Sequence, residues 1–366
     1  MTGGPYRLAT LRAPAALLGA LILWGGLSAA WALDPWRSLV IDARLAGLFA
    51  AGLALATAAS RVAAPHRLTW FVLAGTAAGI ALAGYETASA GGLRHNLSIR
   101  PFAGPNLNQI AVWLAMLVLP VAALLVCRGQ AVLGIVAAAA MAGTVYLLDG
   151  TAAKTALALS LPVAALLYFR QRLVARIAAA LSVVAILTAP LTLPGLAHVP
   201  GVFAAVDGFK DSAGHRLLIW SFAGERIAER PFAGWGLDAA RAIPGAKDEI
   251  RRGQTWLPLH PHNAALQLWL ELGLPGAALF ALFVGWLWLC LAEARWPRLY
   301  AAAAGGCLAA ALAVALAGWG IWQEWWLGTL GVAAFGVLVM ARAAEEAPRI
   351  EPAIPPPTRD WPASGR

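Results

Sequence analysis

The sequence contains little charge. Only 12% of its 366 residues are Asp, Glu, Lys or Arg, whereas 60% are hydrophobic and the mean hydropathy is +0.70. A soluble domain carries roughly twice this charged fraction, so the composition excludes an ordinary soluble protein. The apolar residues form continuous runs of about 18 residues or more, and they do not alternate with polar residues as in a barrel strand. Membrane-spanning α-helices are therefore predicted.

Cysteine is also scarce, and two motifs of nucleotide chemistry are missing. Cys127, Cys290 and Cys307 lie in or beside apolar runs, so we expect neither a disulfide nor a cysteine-bound metal. The sequence has no Asp-x-Asp motif for a metal-held nucleotide sugar and no P-loop, and we expect no cofactor. The net charge is +9, and the Lys and Arg residues lie between the apolar runs and do not form one basic stripe. Membrane lipids or a phosphate-bearing substrate are therefore the expected partners, and nucleic acid is not.

The apolar runs predict an all-α, polytopic membrane protein with about ten transmembrane helices. The first run follows Arg7 and Arg12 like a signal peptide, but its length and the span that follows indicate a retained first helix. Run 264–292 exceeds one crossing, so its first part is expected outside the membrane or at the interface. Residues 1–344 are predicted to form one membrane domain. The ten runs are 14–33, 38–60, 68–85, 108–126, 131–149, 152–169, 174–193, 264–292, 299–317 and 326–342.

Charge near the short loops predicts the orientation. Lys and Arg are more frequent on the side that carries both termini, so both termini are expected in the cytoplasm. The polar, proline-rich segment 345–366 is predicted to be a disordered cytoplasmic tail. One outer loop, 194–263, contradicts this bias because it holds eight Lys and Arg residues. Either these cations have a function or the loop crosses regardless of charge, as long loops do.

The outer loop contains a predicted amphipathic helix over residues 213–230. Asp211 and Ser212 are candidate N-caps, and Pro231 ends the helix. Its apolar positions recur at helical spacing, so the helix is expected to rest on the membrane surface or on the bundle. These positions are Ile219, Phe222, Ala223 and Ile227.

The polar cluster from His260 to Asn263 precedes a predicted helix at the outer surface. His262 has the side chain best suited to accept a proton near neutral pH, and Asn263 has an amide that can donate hydrogen bonds to a sugar or phosphate. Alternatively, His262 has only a structural role, as a hydrogen-bonded histidine at the membrane interface. A zinc site with His260 is a third, weaker alternative, because His-x-His without further ligands is a poor metal signature.

A family resemblance begins at this cluster. His262-Asn263, nine residues and then Gly273-Leu-Pro-Gly276 resemble the H-N-x9-G-x-x-G signature of the O-antigen ligase/polymerase family. Arg216-Leu-Leu-Ile-Trp220 and Pro231-Phe-Ala-Gly234-Trp-Gly236 are similar to its R-x3-W and P-x2-G-x-G segments. From residues alone, the second segment is interpreted as a tight turn whose backbone amides approach the substrate.

Two earlier segments also resemble the family. Gly104-Pro105-Asn106 is similar to an Asn-Pro-Asn stretch that opens a family helix. Thr151-Ala-Ala-Lys154 is similar to the start of another, although Lys154 stands where the family often has Arg. A lysine can still bind a phosphate, but without the bidentate fork of arginine.

The resemblance implies glycosyl transfer at the periplasmic face of a bacterial inner membrane. A glycan on undecaprenyl pyrophosphate would move to a hydroxyl of lipid A-core in a ligase, or to another glycan in a polymerase. His262 would be the general base of a metal-independent, inverting reaction. The substrate-binding candidates are Arg216, Arg241, Lys154, Asn263 and Asn106. A transporter of a lipid-linked glycan is the alternative from a different class.

Overall fold

A computed structural model of the chain describes residues 12–61, 65–97, 107–251 and 253–346. It consists mainly of α-helices, as predicted for a polytopic membrane protein. The helices are α1 (Arg12–Leu27), α2 (Pro35–Arg61), α3 (Pro65–Ala88), α4 (Gly92–Asn96), α5 (Asn108–Val126), α6 (Ala131–Leu147), α7 (Thr151–Thr192), α8 (Val202–Phe209), α9 (Asp211–Glu229), α10 (Ala264–Glu293), α11 (Arg298–Ala317) and α12 (Glu324–Glu346). Short 3₁₀ helices cover Ser28–Ala30, Pro194–His198 and Ala239–Arg241.

Within the described ranges, eight helices are long and apolar enough to cross a membrane, and α6 is a shorter apolar helix of 17 residues. All ten predicted runs fall on these nine helices, because two of the runs share α7. The multi-pass helical character is therefore confirmed, whereas the count of ten crossings stays a prediction. Helix α12 continues to Glu346, and the rest of the predicted tail lies outside the described residues.

Helix α7 consists of two helical segments separated by a sharp bend at Arg170 (φ −138°, ψ 50°). A straight helix of its 42 residues would measure about 63 Å, twice the thickness of the bilayer core. Gln171 donates hydrogen bonds to carbonyls at the C-terminal end of α10, whereas Ile186 accepts one from Trp269 near the N-terminal end of α10. Since Thr151 also contacts Lys210 of the loop, the two halves of α7 run in opposite directions.

Small residues allow α11 to pack closely in the centre of the bundle. A Cβ atom on Gly305 would lie 2.1 Å from Leu167 of α7, and one on Gly306 would lie 2.3 Å from Leu119 of α5. Such close helix approach is the usual packing in membranes, where small residues increase van der Waals contact. This packing forms the scaffold that supports the polar loops at one end.

The loop 194–263 folds back onto that end, which we call the loop end of the bundle. Helix α9 buries the predicted stripe of Ile219, Phe222, Ala223 and Ile227, so it rests on protein. The model also contains an element that the all-α prediction lacks: Glu249–Arg251 and Gln254–Thr255 form a small antiparallel hairpin.

Candidate functional site

A break in α10 organises the loop end. Gly273 has φ 63° and ψ −161°, a conformation almost restricted to glycine, and Pro275 has no N–H to give to the carbonyl of Glu271. Leu274 N–H donates instead to Pro231 O at 2.9 Å, which leaves the Leu270 carbonyl without its helical partner. The break therefore leaves the carbonyls of Leu270 and Glu271 free to accept hydrogen bonds from another segment of the same chain.

The segment 231–238 binds to this break. Trp235 N–H donates to Leu270 O at 2.9 Å, and Gly236 N–H donates to Glu271 O at 2.8 Å. Gly234 approaches the Glu271 backbone so closely that a Cβ atom would lie 2.4 Å from its carbonyl. Our interpretation that these amides approach the substrate is therefore wrong, because they bond to the carbonyls that the broken helix leaves free.

Replacing Gly273 with Ala is expected to destabilise the loop end. A Cβ atom would lie 2.3 Å from Phe232 O, and the backbone conformation is itself unfavourable for alanine. We expect a loss of about 2–4 kcal/mol, measured as thermal unfolding of the protein in detergent. Gly129→Ala is the matched control, because Gly129 also has positive φ (77°) but open space around it. Equal effects of the two substitutions would contradict the close packing at Gly273.

His262 occupies a strained position directly before α10. Its φ is 55°, a value that is uncommon for a residue with a side chain and that concentrates at functional sites. Trp220 of α9 donates from Nε1 to Pro261 O at 2.9 Å. Asn263 caps α10 by accepting from Leu266 N–H at 3.0 Å, and its Nδ2 donates to Leu316 O at 2.9 Å. The backbone around His262 is therefore held from three elements.

The connection between α11 and α12 orients both histidine rings. His262 Nδ1 lies 2.6 Å from Gly318 O, and because a carbonyl only accepts, this nitrogen carries the proton. The neutral ring then has its lone pair on Nε2. His260 is buried, and its Nδ1 and Nε2 each lie 3.2 Å from a backbone N–H group, that of His262 and that of Gly320. Because a neutral imidazole has a lone pair on only one ring nitrogen, His260 accepts from one of these two groups at a time. His260 is therefore a structural contact between the loops.

Burial and neighbouring cations keep both histidines neutral. The pKa of His262 is lowered to about 4, mainly by burial and to a smaller extent by the charges of Arg216 and His215, while the Gly318 contact partly opposes this shift. Burial, His262, Arg241 and Arg216 lower the pKa of His260 to about 3. His262 is therefore in the unprotonated form that a general base needs, and it lies within the field of Arg216.

Arg216 is half-buried on α9, one turn before Trp220, and faces the histidine cluster. Burial lowers the pKa of its guanidinium, yet no carboxylate pairs with it among the described residues. Arg241 is 3.4 Å from Asp238, and its charge acts on His260. The structure therefore brings Arg216 and Arg241 to the same cluster as His262.

The other predicted residues have different positions. Lys154 is half-buried in the first turn of α7, near Thr151, which contacts Lys210 of the loop. Asn263 is buried and uses its side chain for the two structural hydrogen bonds, so it retains one free amide hydrogen. Asn106 lies outside the described residues.

Several loop cations have partners that explain them structurally. Arg226 pairs with Glu229 at 2.6 Å, as expected from their spacing on α9. Arg230 stacks on Trp235, and Arg251 pairs with Asp207. These contacts distinguish the three cations from Arg216, which forms no ion pair among the described residues.

The sequence did not indicate one buried network under the histidines. Glu271, fully buried, accepts from Gln267, from Trp322 and from Asp238 N–H, and Gln267 accepts from Ile321 N–H. Trp322 donates from Nε1 to this buried carboxylate, and Trp326 is itself buried. Glu271 and Gln267, four residues apart on the face of α10 that contains Asn263, were the available sequence signal.

A metal site at this cluster would need further ligands beside the two histidines. In the part of the chain that the structure describes, no group of three His, Cys, Asp or Glu residues is arranged as metal ligands. The lone pair of the neutral His260 ring is directed at a backbone N–H group, and Nδ1 of His262 carries the proton that faces Gly318 O. The described cluster thus offers a single uncommitted nitrogen, His262 Nε2.

This fold and this site define a multi-pass helical membrane protein with a histidine and arginine cluster at one end of its bundle. Residues 136–281 match the family model described as O-antigen ligase, and this match confirms the resemblance that the motifs indicated. The match contains the segments with Lys154, Arg216 and His262. The matched region is therefore similar to the O-antigen ligase family.

The chain is also similar to curated proteins that are named as polysaccharide ligases. The chain is 35% identical over 122 residues to a "Putative polysaccharide ligase" of Rickettsia conorii, over 32% of this chain and 29% of the relative. It is 35% identical over 129 residues to a relative of the same name in Rickettsia typhi, over 32% of this chain and 30% of that protein. The chain thus spans less than a third of the length of these relatives. No solved structure matches significantly.

Proposed function

We propose that this protein is a glycosyltransferase of the bacterial inner membrane that acts as an O-antigen ligase. It transfers a glycan from undecaprenyl pyrophosphate to a hydroxyl of lipid A-core at the periplasmic face. The observation that carries this proposal is the neutral His262, with Nε2 uncommitted, in the field of a half-buried arginine that has no carboxylate partner among the described residues. An unpaired, partly desolvated cation of this kind favours an anionic ligand.

Each residue has a defined role in the proposed reaction. Nε2 of His262 takes the proton of the acceptor hydroxyl as its oxygen bonds to the anomeric carbon of the glycan. The bond from that carbon to the diphosphate oxygen breaks, and the diphosphate leaves with the electron pair. Attack from the opposite side inverts the anomeric configuration. Arg216, Arg241 and Lys154 stabilise the charge on the diphosphate.

The remaining predicted residues have supporting roles in this proposal. Asn263 holds His262 in place through its cap and its bond to Leu316 O. Asn106 is proposed to bind the substrate, as the family resemblance implies. Gly318 acts through its backbone, because its carbonyl selects the tautomer in which Nε2 is the base.

Complementation tests the ligase function directly. The full chain is expressed in one bacterial host that lacks its O-antigen ligase and in a second host that lacks its O-antigen polymerase. A ligase restores full-length glycan on lipid A-core in the first host only. Restoration of long chains in the second host only would identify a polymerase instead. Unchanged products in both hosts, with the protein present in the membrane, would contradict glycosyl transfer.

The pH dependence of the reaction follows from the low pKa of His262. A base whose pKa is lowered to about 4 stays unprotonated throughout the neutral range. We expect kcat/KM to be constant from about pH 8 to about pH 5.5 and to decline only below, as His262 becomes protonated. Arg216→Gln removes a charge that opposes protonation, so the decline should begin at higher pH. A wild-type profile that falls below pH 6.5 would contradict this environment for His262.

A further inference from the structure

Arg37 is a cation at the loop end that the proposed mechanism does not use. It lies in the first turn of α2, where Asp34 accepts from its backbone N–H at 3.0 Å. The next residue, Ser38, donates from Oγ to Leu237 O at 2.7 Å and fastens α2 to the segment 231–238. The start of α2 is therefore fixed against the segment that leads to Arg241.

Two arginines share one carboxylate oxygen at this contact. Arg37 Nε lies 2.6 Å from Asp238 Oδ2, and Arg241 Nε lies 3.4 Å from the same atom. The Arg37 side chain is 40% exposed and that of Arg241 is 33% exposed, whereas that of Asp238 is 7% exposed. Both arginines approach Asp238 through Nε, so the two Nη groups of each arginine remain available to another ligand. Among the described residues, these Nη groups make no hydrogen bond.

The charges at this contact do not balance. Within the ion pair itself, two guanidinium groups and one carboxylate leave one positive charge, before Arg216 is considered. The carboxyl groups of Glu271 and Asp34 accept from the backbone N–H groups of Asp238 and Arg37, and they form no ion pair with either guanidinium. Arg37 is also at the unfavourable end of a helix, since the N-terminus of α2 carries partial positive charge. One arginine would be enough to hold α2 against the segment 231–238. Ser38 already connects the two through an uncharged hydrogen bond to Leu237 O. The excess charge therefore favours an anion at this place.

We propose that Arg37 and Arg241 form a paired arginine fork, held on Asp238, that binds the diphosphate of the lipid-linked donor. The two arginines provide four Nη atoms, each with two N–H donors, and planar guanidinium groups bind phosphate oxygens two at a time. The charge of Arg241 reaches His260, which is in ring contact with His262, so the fork adjoins the proposed base. This proposal rests on the proposed function and adds a binding residue from the α1–α2 connection.

Binding of undecaprenyl pyrophosphate to the purified full chain tests the fork without requiring turnover. Undecaprenyl monophosphate is measured in parallel, because a diphosphate fork should favour the pyrophosphate. We expect Arg37→Ala to weaken pyrophosphate binding by about tenfold or more and to reduce its preference over the monophosphate. Arg37→Lys, which retains the charge without the fork, should give an intermediate loss. Thermal unfolding of each variant checks that the fold persists.

Ser38→Ala is the matched control, because it removes the neighbouring attachment of α2 to Leu237 without changing any charge. It should leave both affinities within about twofold of the wild type. The fork is contradicted if Arg37→Ala binds pyrophosphate as the wild type does, or if Ser38→Ala weakens it equally. Failure of the wild-type protein to bind undecaprenyl pyrophosphate would instead contradict the donor in the proposed function, and the fork with it.

Discussion

His262→Ala is expected to lower the rate of glycan transfer by about two to four orders of magnitude. This is the range that a positioned general base contributes. The substitution removes the Nε2 lone pair while Asn263 still caps α10 and His260 still binds the α11–α12 connection. The fold should therefore persist. The measurement is kcat of the purified variant with a lipid-linked glycan and lipid A-core.

A second histidine of the same loop provides the control for this substitution. His198 is exposed at the end of the short helix that follows α7, and His198→Ala should retain the wild-type rate. Donor affinity distinguishes a base from a binding residue, because loss of the base should change kcat far more than the donor KM. A His262→Ala enzyme with an unchanged rate would remove the ring from the mechanism.

Arg216→Ala is expected to give the second largest loss, a decrease in kcat/KM of about 10²- to 10³-fold. Its guanidinium is half-buried beside the histidines and has no carboxylate partner among the described residues, so its charge is available to the leaving diphosphate. Arg216→Lys should recover only part of the activity, because lysine lacks the bidentate fork. Steady-state kinetics over a range of donor concentrations give both constants.

Arg226→Ala is the matched control on the same helix. Arg226 is nearly three turns further along α9 and pairs with Glu229. Loss of a partly exposed pair of this kind changes stability by about 1 kcal/mol, and it should leave kcat/KM near the wild-type value. Equal losses from the two substitutions would mean that Arg216 acts through the net charge of the loop.

Much of the fold follows from the sequence because hydropathy and helical spacing act locally. The apolar stripe of α9 was predicted from its i, i+3 and i+4 spacing, and it is buried as expected. Arg170 and Arg172 interrupt an apolar stretch and so predict two runs within α7. The excess length of run 264–292 has a physical cause in Gly273, where α10 breaks.

The candidate site could be predicted only in part. His262 could be predicted from a motif whose spacing is fairly specific, and Arg216 from a looser segment that precedes it. The contact of His262 with the Gly318 carbonyl could not be predicted, because every residue has a carbonyl and the two positions are 56 residues apart. The pairing of Arg37 with Asp238 could not be predicted either, because 201 residues separate them in the sequence. Contacts of this kind depend on how the bundle closes, which no local pattern determines.

A structure of the full chain bound to undecaprenyl pyrophosphate, in a lipid nanodisc, tests the central claim most directly. The diphosphate should lie at the loop end, with its oxygens within about 3 Å of the Arg216 guanidinium and with Nε2 of His262 facing the bond to the sugar. A diphosphate bound at the opposite end of the bundle, or in a separate cavity at the loop end that neither side chain lines, would contradict the proposed catalytic site.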